Sequence, residues 1–342
     1  PRLEAMVYHN RLGSLWEKVE RMSALAQYLA PGVDADRALV ARAATLCKMD
    51  LETLMVYEFP ELQGVLGRAY AEQQGEDPAV SLAIEAHYWP RFSNDRLPQS
   101  PTGIAVALAD RMDTIAGGFA AGMKPTGSRD PFALRRAALG LLRILIERQL
   151  PISLPTLVQQ AVQGLPVEVD AQEILMFLHD RLRTLLSEIA PPQMVEAVMA
   201  SADEQPRVAW KKIEAIIGLA ETDDFLALVR LFKRMNILKN AEGETLSVDP
   251  AILTHPAEKE LFGAIAEARE AVLPLLAAED FTGAMARLVQ LWKPVDTFFD
   301  DTEGVRVMDD DPAIRKNRLA LLADLDNIFR QVADFKLMAG LA

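Results

Sequence analysis

Three groups of basic side chains carry spacing that could do chemistry, and that chemistry is the capture of anions. Arg230, Lys233 and Arg234 fall at i, i+3 and i+4, which predicts one shared helix face, and no acidic residue interrupts the run from Arg230 to Lys239. Asn236 and Asn240 add donors suited to phosphates or base edges. Arg315, Lys316 and Arg318 open the last long periodic segment. Lys124, Arg129, Arg135 and Arg136 gather around PTGSRD at residues 125–130. That stretch reads as a turn before a helix, with Asp130 as N-cap and Pro131 at the first helical position. It reads equally as a phosphate-contacting loop, because a helix N-terminus attracts anions. Both can hold at once, and each basic group also fits a plain solvated helix face.

Other chemistries find little support. None of the four histidines has a partner at the spacing of H-x-x-x-H. His179-Asp180, in FLHDRLRTLL, reads as a polar pair on a helix, and His9 and His255 stand alone. A single cysteine, Cys47, removes internal disulfides and thiolate zinc sites. PTGSRD holds one glycine where a P-loop needs two and a following Lys-Ser/Thr. The net charge of −13 opposes a whole-surface attraction to nucleic acid. Phosphate contacts need only a local basic patch, so salt-sensitive binding through such patches is compatible with it.

The elements that must position these groups are helices. Leu12, Leu15, Trp16, Val19 and Met22 predict an amphipathic first helix, closed by Pro31-Gly32. Leu51, Leu54, Met55 and Phe59 recur at helical spacing and predict one apolar face, ended by Pro60; Gly64 and Gly67 follow where helices could approach closely. Residues 89–103, rich in Pro, Ser, Asn, Asp and Gly, predict a loop. A second loop at 124–131 precedes a helix over 132–148. Leu321, Leu325, Ile328 and Val332 predict a last helix over 312–337, with Pro312 in its first turn and Asp309 to Asp311 complementing its dipole. Strand-like alternation is scarce, so the fold class is all-α. A chain of 342 residues suggests two or three domains, since single cores stop growing near ~250–300 residues. The divisions fall at 1–150, 151–205 and 206–342, the connector Pro191 to Pro206 suggesting mobility between them. No run of ~18 uncharged apolar residues spans a membrane and no secretory leader opens the chain, so a cytoplasmic location is expected.

Several long motifs resemble the β subunit of bacterial heterotetrameric glycyl-tRNA synthetase. They are CKMDLETLMVYEFPELQGVLGRAYA from Cys47, ALADRMDTIAGGF from Ala107, KPTGSRDPFALRRAALG from Lys124, FKRMNILK from Phe232 and FFDDTEGVRVMDDDPAIRKNRLALL from Phe298. That family's β subunit is much longer, so the resemblance implies a C-terminal half. It implies a tRNA-recognition part of glycine–tRNA ligase with no catalytic or metal residue of its own, ATP and Mg²⁺ being bound by the α subunit of an α2β2 assembly. Partners would be tRNA for glycine and the α subunit, with no DNA and no membrane. A module that braces α against β is the alternative.

Residues 1–150 also resemble the HD phosphohydrolase fold, whose working members hold a metal with His, an adjacent His-Asp pair and a later Asp. Here Cys47-Lys48 stands at the pair, no histidine lies at Trp16 to Lys18, and Asp110 and His87 fit. An ammonium at a ligand position repels a cation. This implies a shape reused for binding near the acceptor arm, with a residual metal phosphohydrolase as the remote alternative. Residues 206–342 resemble a DALR-type anticodon-binding domain. The candidate tRNA contacts are Lys124, Arg129, Arg135, Arg136, Arg230, Lys233, Arg234, Lys239, Arg315, Lys316 and Arg318, with Phe298 and Phe299 as stacking or core aromatics.

Overall fold

The computed structural model describes residues 2–127, 130, 132–201, 203–241, 246–338 and 340–341. Pro131 and Arg129 lie outside them, as do the side chains of Lys239, Asn236 and Asn240. Among the described residues the chain is all-α apart from one short hairpin, and it divides into two compact units, Pro1–Leu185 with Glu204–Arg207, and Leu186–Asp203 with Val208–Ala342.

The first unit opens with α1 (Arg2–Ala5) and an antiparallel hairpin, β1 (Val7–His9) and β2 (Gly13–Ser14). Helix α2 (Leu15–Leu29) follows. The predicted first helix reached back to Leu12, yet Leu12 is buried in the hairpin turn. The boundary lies with Ser14, whose hydroxyl accepts from Glu17 N at 3.2 Å while the Glu17 carboxylate accepts from Ser14 N at 2.6 Å, a reciprocal cap. Next come α3 (Arg37–Leu46), α4 (Leu54–Glu58), α5 (Val65–Gln73), α6 (Pro78–Ala86), α7 (Pro101–Ala120), α8 (Leu134–Glu147), α9 (Leu154–Gln163) and α10 (Ala171–Leu186). Helix α7 is buried along nearly its whole length and packs against α2, α3, α6, α8 and α9. Such a helix brings any charge it carries into the core.

The predicted apolar face over 51–59 is corrected by the structure. Thr53 caps α4 late, accepting from Val56 N at 3.2 Å, and Pro60 starts a separate turn, leaving five residues. A helix that short buries one side chain, Val56, while Leu54 is 82% exposed and Tyr57 78%. Met55 and Phe59 are also exposed. The glycine expectation holds: a Cβ on Gly67 would lie 2.8 Å from Ile84 and 3.0 Å from Asp50. Gly64, at φ +83°, donates its amide to Asp50 at 2.6 Å.

The second unit holds α11 (Pro192–Met199), α12 (Pro206–Ile217, mostly in this unit), α13 (Asp223–Phe232), α14 (Pro256–Ala277), α15 (Phe281–Val289), α16 (Trp292–Phe299) and α17 (Pro312–Phe329). Phe225, Phe232, Phe329 and Phe335 form its aromatic core, with ring centroids 4.9 to 6.2 Å apart. The last helix starts as expected, Asp311 accepting from Ala313 N at 2.8 Å. It ends at Phe329, earlier than the predicted Leu337. The amides of Val332 and Ala333 fold back onto the Phe329 carbonyl at 2.9 and 3.0 Å. Asp326 takes both Arg330 and Lys336, at 2.9 and 2.8 Å. This turn lets Phe335 enter the aromatic core, a tertiary gain that outweighs continued helical periodicity.

Candidate functional site

Two elements of the first unit bring their charges to one point. Helix α2 supplies Lys18 and Arg21; α7 supplies Asp110, Arg111 and Asp113, spaced so that the two carboxylates lie on one face. Lys18 Nζ lies 2.9 Å from Asp113 and 3.3 Å from Asp110, and donates to Thr114 at 3.0 Å. Arg21 Nε donates to the other Asp113 oxygen at 2.7 Å. Lys48, just after α3, reaches the second Asp110 oxygen at 3.0 Å and stands 2.9 Å from His87 Nε2 and 4.2 Å from the centre of the Tyr88 ring.

The proton on His87 is settled by its partners. Nδ1 lies 2.7 Å from the Ile84 carbonyl, which can only accept, so Nδ1 carries the hydrogen and Nε2 accepts from Lys48. Burial, then the neighbouring ammonium of Lys48, holds His87 well below the ordinary histidine range, and it is neutral. Burial works against charge on Lys18 and Lys48 too, but the carboxylates outweigh it and both are held protonated. Asp110 in turn is kept ionised by Lys48 and Lys18 despite burial. Asp50, with desolvation as the larger influence, is shifted upward.

This arrangement does not fit a divalent metal. Each Asp110 oxygen faces an ammonium and the His87 lone pair is taken by a third N–H, so the atoms that would bind a cation already hold one. Among the described residues, His, Cys, Asp and Glu nowhere gather at metal-binding geometry. Nor does Cys47 offer a nucleophile: its buried thiol donates to Ala44 O, and desolvation pushes it up to about 12. What remains is a fixed charge cluster that ties α2, α7 and the segment just after α3 together around the Asp110 and Asp113 carboxylates.

An open cleft of about 650 Å³ lies against this cluster. Its wall includes Gln63, His87, Tyr88, Arg91, Asp110, Arg111, Phe132 just before α8 and Arg136 on it. Buried Arg111 spends its terminal N–H groups on four carbonyls, those of His87, Ala107, Tyr88 and Pro90, at 2.8 to 3.1 Å. Burial lowers its pKa to about 10, which still leaves it charged at neutral pH.

The basic residues singled out from spacing separate into different surroundings. Arg136 is exposed on the cleft, whereas Arg135 donates to Gly127 O at 2.6 Å and Lys124 is paired with Glu173. The helix begins later than the sequence suggests, at Leu134 with Ala133 as its N-cap residue, and Asp130 instead serves it from four residues upstream, its carboxylate accepting from Leu134 N and Arg135 N at 2.8 and 2.9 Å. Arg230, Lys233 and Arg234 are all exposed but do not share one helix, because α13 stops at Phe232 to bury that ring. Arg234 donates to Phe299 O at 2.8 Å and sits 5.5 Å over the Phe299 ring, while Phe298 is core. Lys316 is exposed and Arg315 donates to Asp309 O at 3.0 Å. Arg318 turns inward, pairing with Glu258 at 2.5 Å and Asp309 at 2.8 Å. His179, half-buried, and exposed Asp180 are an ordinary helix pair, Asp180 accepting from Arg183 at 2.8 Å.

Sequence reasoning missed Lys18, Arg21, Arg91 and Arg111. One signal was available: Lys18 lies three residues after Leu15 and four before Met22, inside the buried stripe of α2. A lysine on an apolar stripe requires a carboxylate opposite.

Residues 1–200 match the family described as glycyl-tRNA synthetase beta subunit, and residues 228–335 match the DALR anticodon binding domain. The chain is 46% identical over 347 residues to a glycine–tRNA ligase beta subunit of Aromatoleum aromaticum, covering 99% of this chain and 49% of that protein. Beta subunits from Aeromonas hydrophila and Pseudomonas aeruginosa are similar at 43% and 44% identity, with 99% and 98% of this chain and 50% of each relative covered. The chain therefore spans about half the length of the curated relatives it matches.

Proposed function

The chain belongs to the glycyl-tRNA synthetase beta-subunit family, and from that premise we propose that it serves as a tRNA-recognition part of glycine–tRNA ligase. The C-terminal region contacts the anticodon side and the first unit lies toward the acceptor arm, with glycine activation by ATP and Mg²⁺ carried out at the site of a partner α subunit in an α2β2 assembly. The chain itself supplies positioning and no catalytic group. The observation that carries this reading is the exposed trio Arg230, Lys233 and Arg234, which lies inside the region matching an anticodon-binding domain. Phosphate contacts of this kind fix register on the RNA and leave sequence discrimination to base edges and stacking. Arg318, being buried, contributes by holding α17 to α14, and the contacting set on that helix reduces to Arg315 and Lys316.

The test is binding of tRNA for glycine at low and moderate salt, compared with the same tRNA carrying a changed anticodon. Lys233→Glu with Arg234→Glu should cost ~1–3 kcal/mol of affinity and make the salt dependence shallower. Unchanged affinity across the salt range counts against this patch. A second role rests on a separate observation: Leu54, Met55, Tyr57 and Phe59 form an exposed apolar surface edged by Glu58 and Glu61, fit for bracing another protein chain. The hydrolytic alternative gains nothing from the geometry, since Lys18 and Lys48 engage the atoms a metal would need.

A further inference from the structure

We infer that the cleft between α8 and the Gln63–Arg91 wall is a binding site for one phosphorylated nucleoside unit, free or as an unpaired residue of an RNA strand; as the RNA case it rests on the reading of the chain as a tRNA-binding part. The argument starts from charge. Lining the cleft are Arg91, Arg111 and Arg136, against the carboxylates of Glu61 and Asp110. Each Asp110 oxygen already faces an ammonium, Lys18 at 3.3 Å and Lys48 at 3.0 Å, so its charge is compensated within the wall. Arg111 is bonded only to carbonyls among its hydrogen-bond partners and keeps its full positive charge in a water-poor wall. Glu61 is the one lining acid whose charge these pairs leave uncompensated. In a chain of net charge −13, a concave surface with this balance is the opposite of the average surface.

The donors are placed for a phosphate and the aromatic for a base. The first amides of α8 are occupied by Asp130, which leaves recognition to side chains. Arg136 lies exposed on the cleft with free guanidinium reach, and Arg91 is steadied by its bond to Gln63 O at 3.1 Å. Gln63 is in turn fixed by donating to Tyr88 at 2.7 Å. One face of Tyr88 is covered by Lys48. Phe132, 49% exposed and four residues before Arg136, is the ring able to stack on an incoming base. The volume of about 650 Å³ falls within the ~300–1,000 Å³ typical of small-molecule clefts. Sequence tolerance follows, because stacking with phosphate capture needs no base-edge code.

Titration of the full chain with AMP, CMP, GMP and UMP, with inorganic phosphate and with a short single-stranded oligoribonucleotide tests this. Native protein should bind nucleotides more tightly than phosphate. Arg136→Glu should weaken every probe by ~10-fold. Phe132→Ala should weaken the nucleotides by ~5- to 100-fold and leave phosphate unchanged. Both side chains are exposed, so circular dichroism should match the native chain. An oligonucleotide that binds far more tightly than mononucleotides and is displaced by them supports the RNA source, and equal affinities support a free nucleotide. No binding of any probe, or variants that bind as the native chain does, overturns the site. If tRNA binding responds to Lys233→Glu with Arg234→Glu while nucleotides ignore Arg136→Glu, the cleft is refuted and the tRNA reading stands. Nucleotide binding without tRNA binding upholds the cleft and refutes that reading.

Discussion

Replacing Lys48 by Met isolates what the buried ammonium contributes. The methionine matches the lysine stem in length and fills the same core volume, but removes the charge 3.0 Å from Asp110, the donor 2.9 Å from His87 and the cation 4.2 Å from the Tyr88 ring. Asp110 would keep only Lys18, at 3.3 Å on its other oxygen, and His87 Nε2 would face the core with no donor. Breaking a buried pair by removing one partner costs ~3–5 kcal/mol, and the stranded histidine acceptor is part of that figure. Set against a total stability of ~5–15 kcal/mol, this is a large fraction. At ~2–4 °C per kcal/mol for a unit of this size, the thermal transition of the first unit should fall by roughly 6–20 °C. Scanning calorimetry on the full chain reads it, the second unit serving as internal reference. Lys48→Met combined with Asp110→Asn removes both charges, and should fall short of additivity by ~0.5–3 kcal/mol. A loss below ~1 kcal/mol for the single variant, or strict additivity in the double, would refute the assignment of Lys48 as the principal counter-charge of Asp110.

Three further outcomes follow from the same geometry. Because folded His87 is depressed below its unfolded value near ~6.5, the unfolded chain binds the extra proton, so its contribution is complete above that pH and falls by up to ~1.4 kcal/mol per unit as pH drops below it. His87→Gln should flatten most of this slope in pH-dependent urea unfolding, His179 supplying a remainder because burial and Arg183 lower it as well. Millimolar Mn²⁺ or Zn²⁺ should leave the first thermal transition unmoved, since the ammonium groups already occupy Asp110 and His87; a midpoint rising with metal concentration would contradict this. Arg318→Leu should destabilise the second unit by ~3–5 kcal/mol by stranding Glu258, while the salt slope of tRNA binding stays as it was. A changed slope at unchanged stability would return Arg318 to the RNA-contacting set.

Much of the fold was legible because its determinants are local. Proline and glycine punctuation located the loop after α6, the start of α17 and the close approach at Gly67 without tertiary information. The misses share one cause, which is that periodicity records side-chain spacing and not what packs against it. Leu54, Met55 and Phe59 have helical spacing, yet caps on both sides cut α4 too short to bury a face. Phe335 belongs to the aromatic core only because the chain turns at Phe329. At the site, Asp110 and His87 were visible by resemblance, whereas Lys18 was noted only as a missing histidine. That an ammonium from α2 answers a carboxylate on α7 is a fact of packing across 95 residues of chain. Arg318 was misjudged for the same reason, its partner Glu258 lying on another helix.

The burial of Cys47 has a practical corollary. The only thiol in the chain sits one residue from Lys48, fully enclosed and shifted up to about 12, so the native conformation is silent toward alkylating and disulfide-forming reagents. Whatever modification occurs must pass through an opening that exposes α3 and its charge partners together. The cysteine is therefore a built-in clock for that event. Where reclosing outruns labelling, its reaction rate measures the free energy of local opening; where labelling wins, it measures the opening rate itself. No foreign probe is needed to follow how often this charge cluster comes apart.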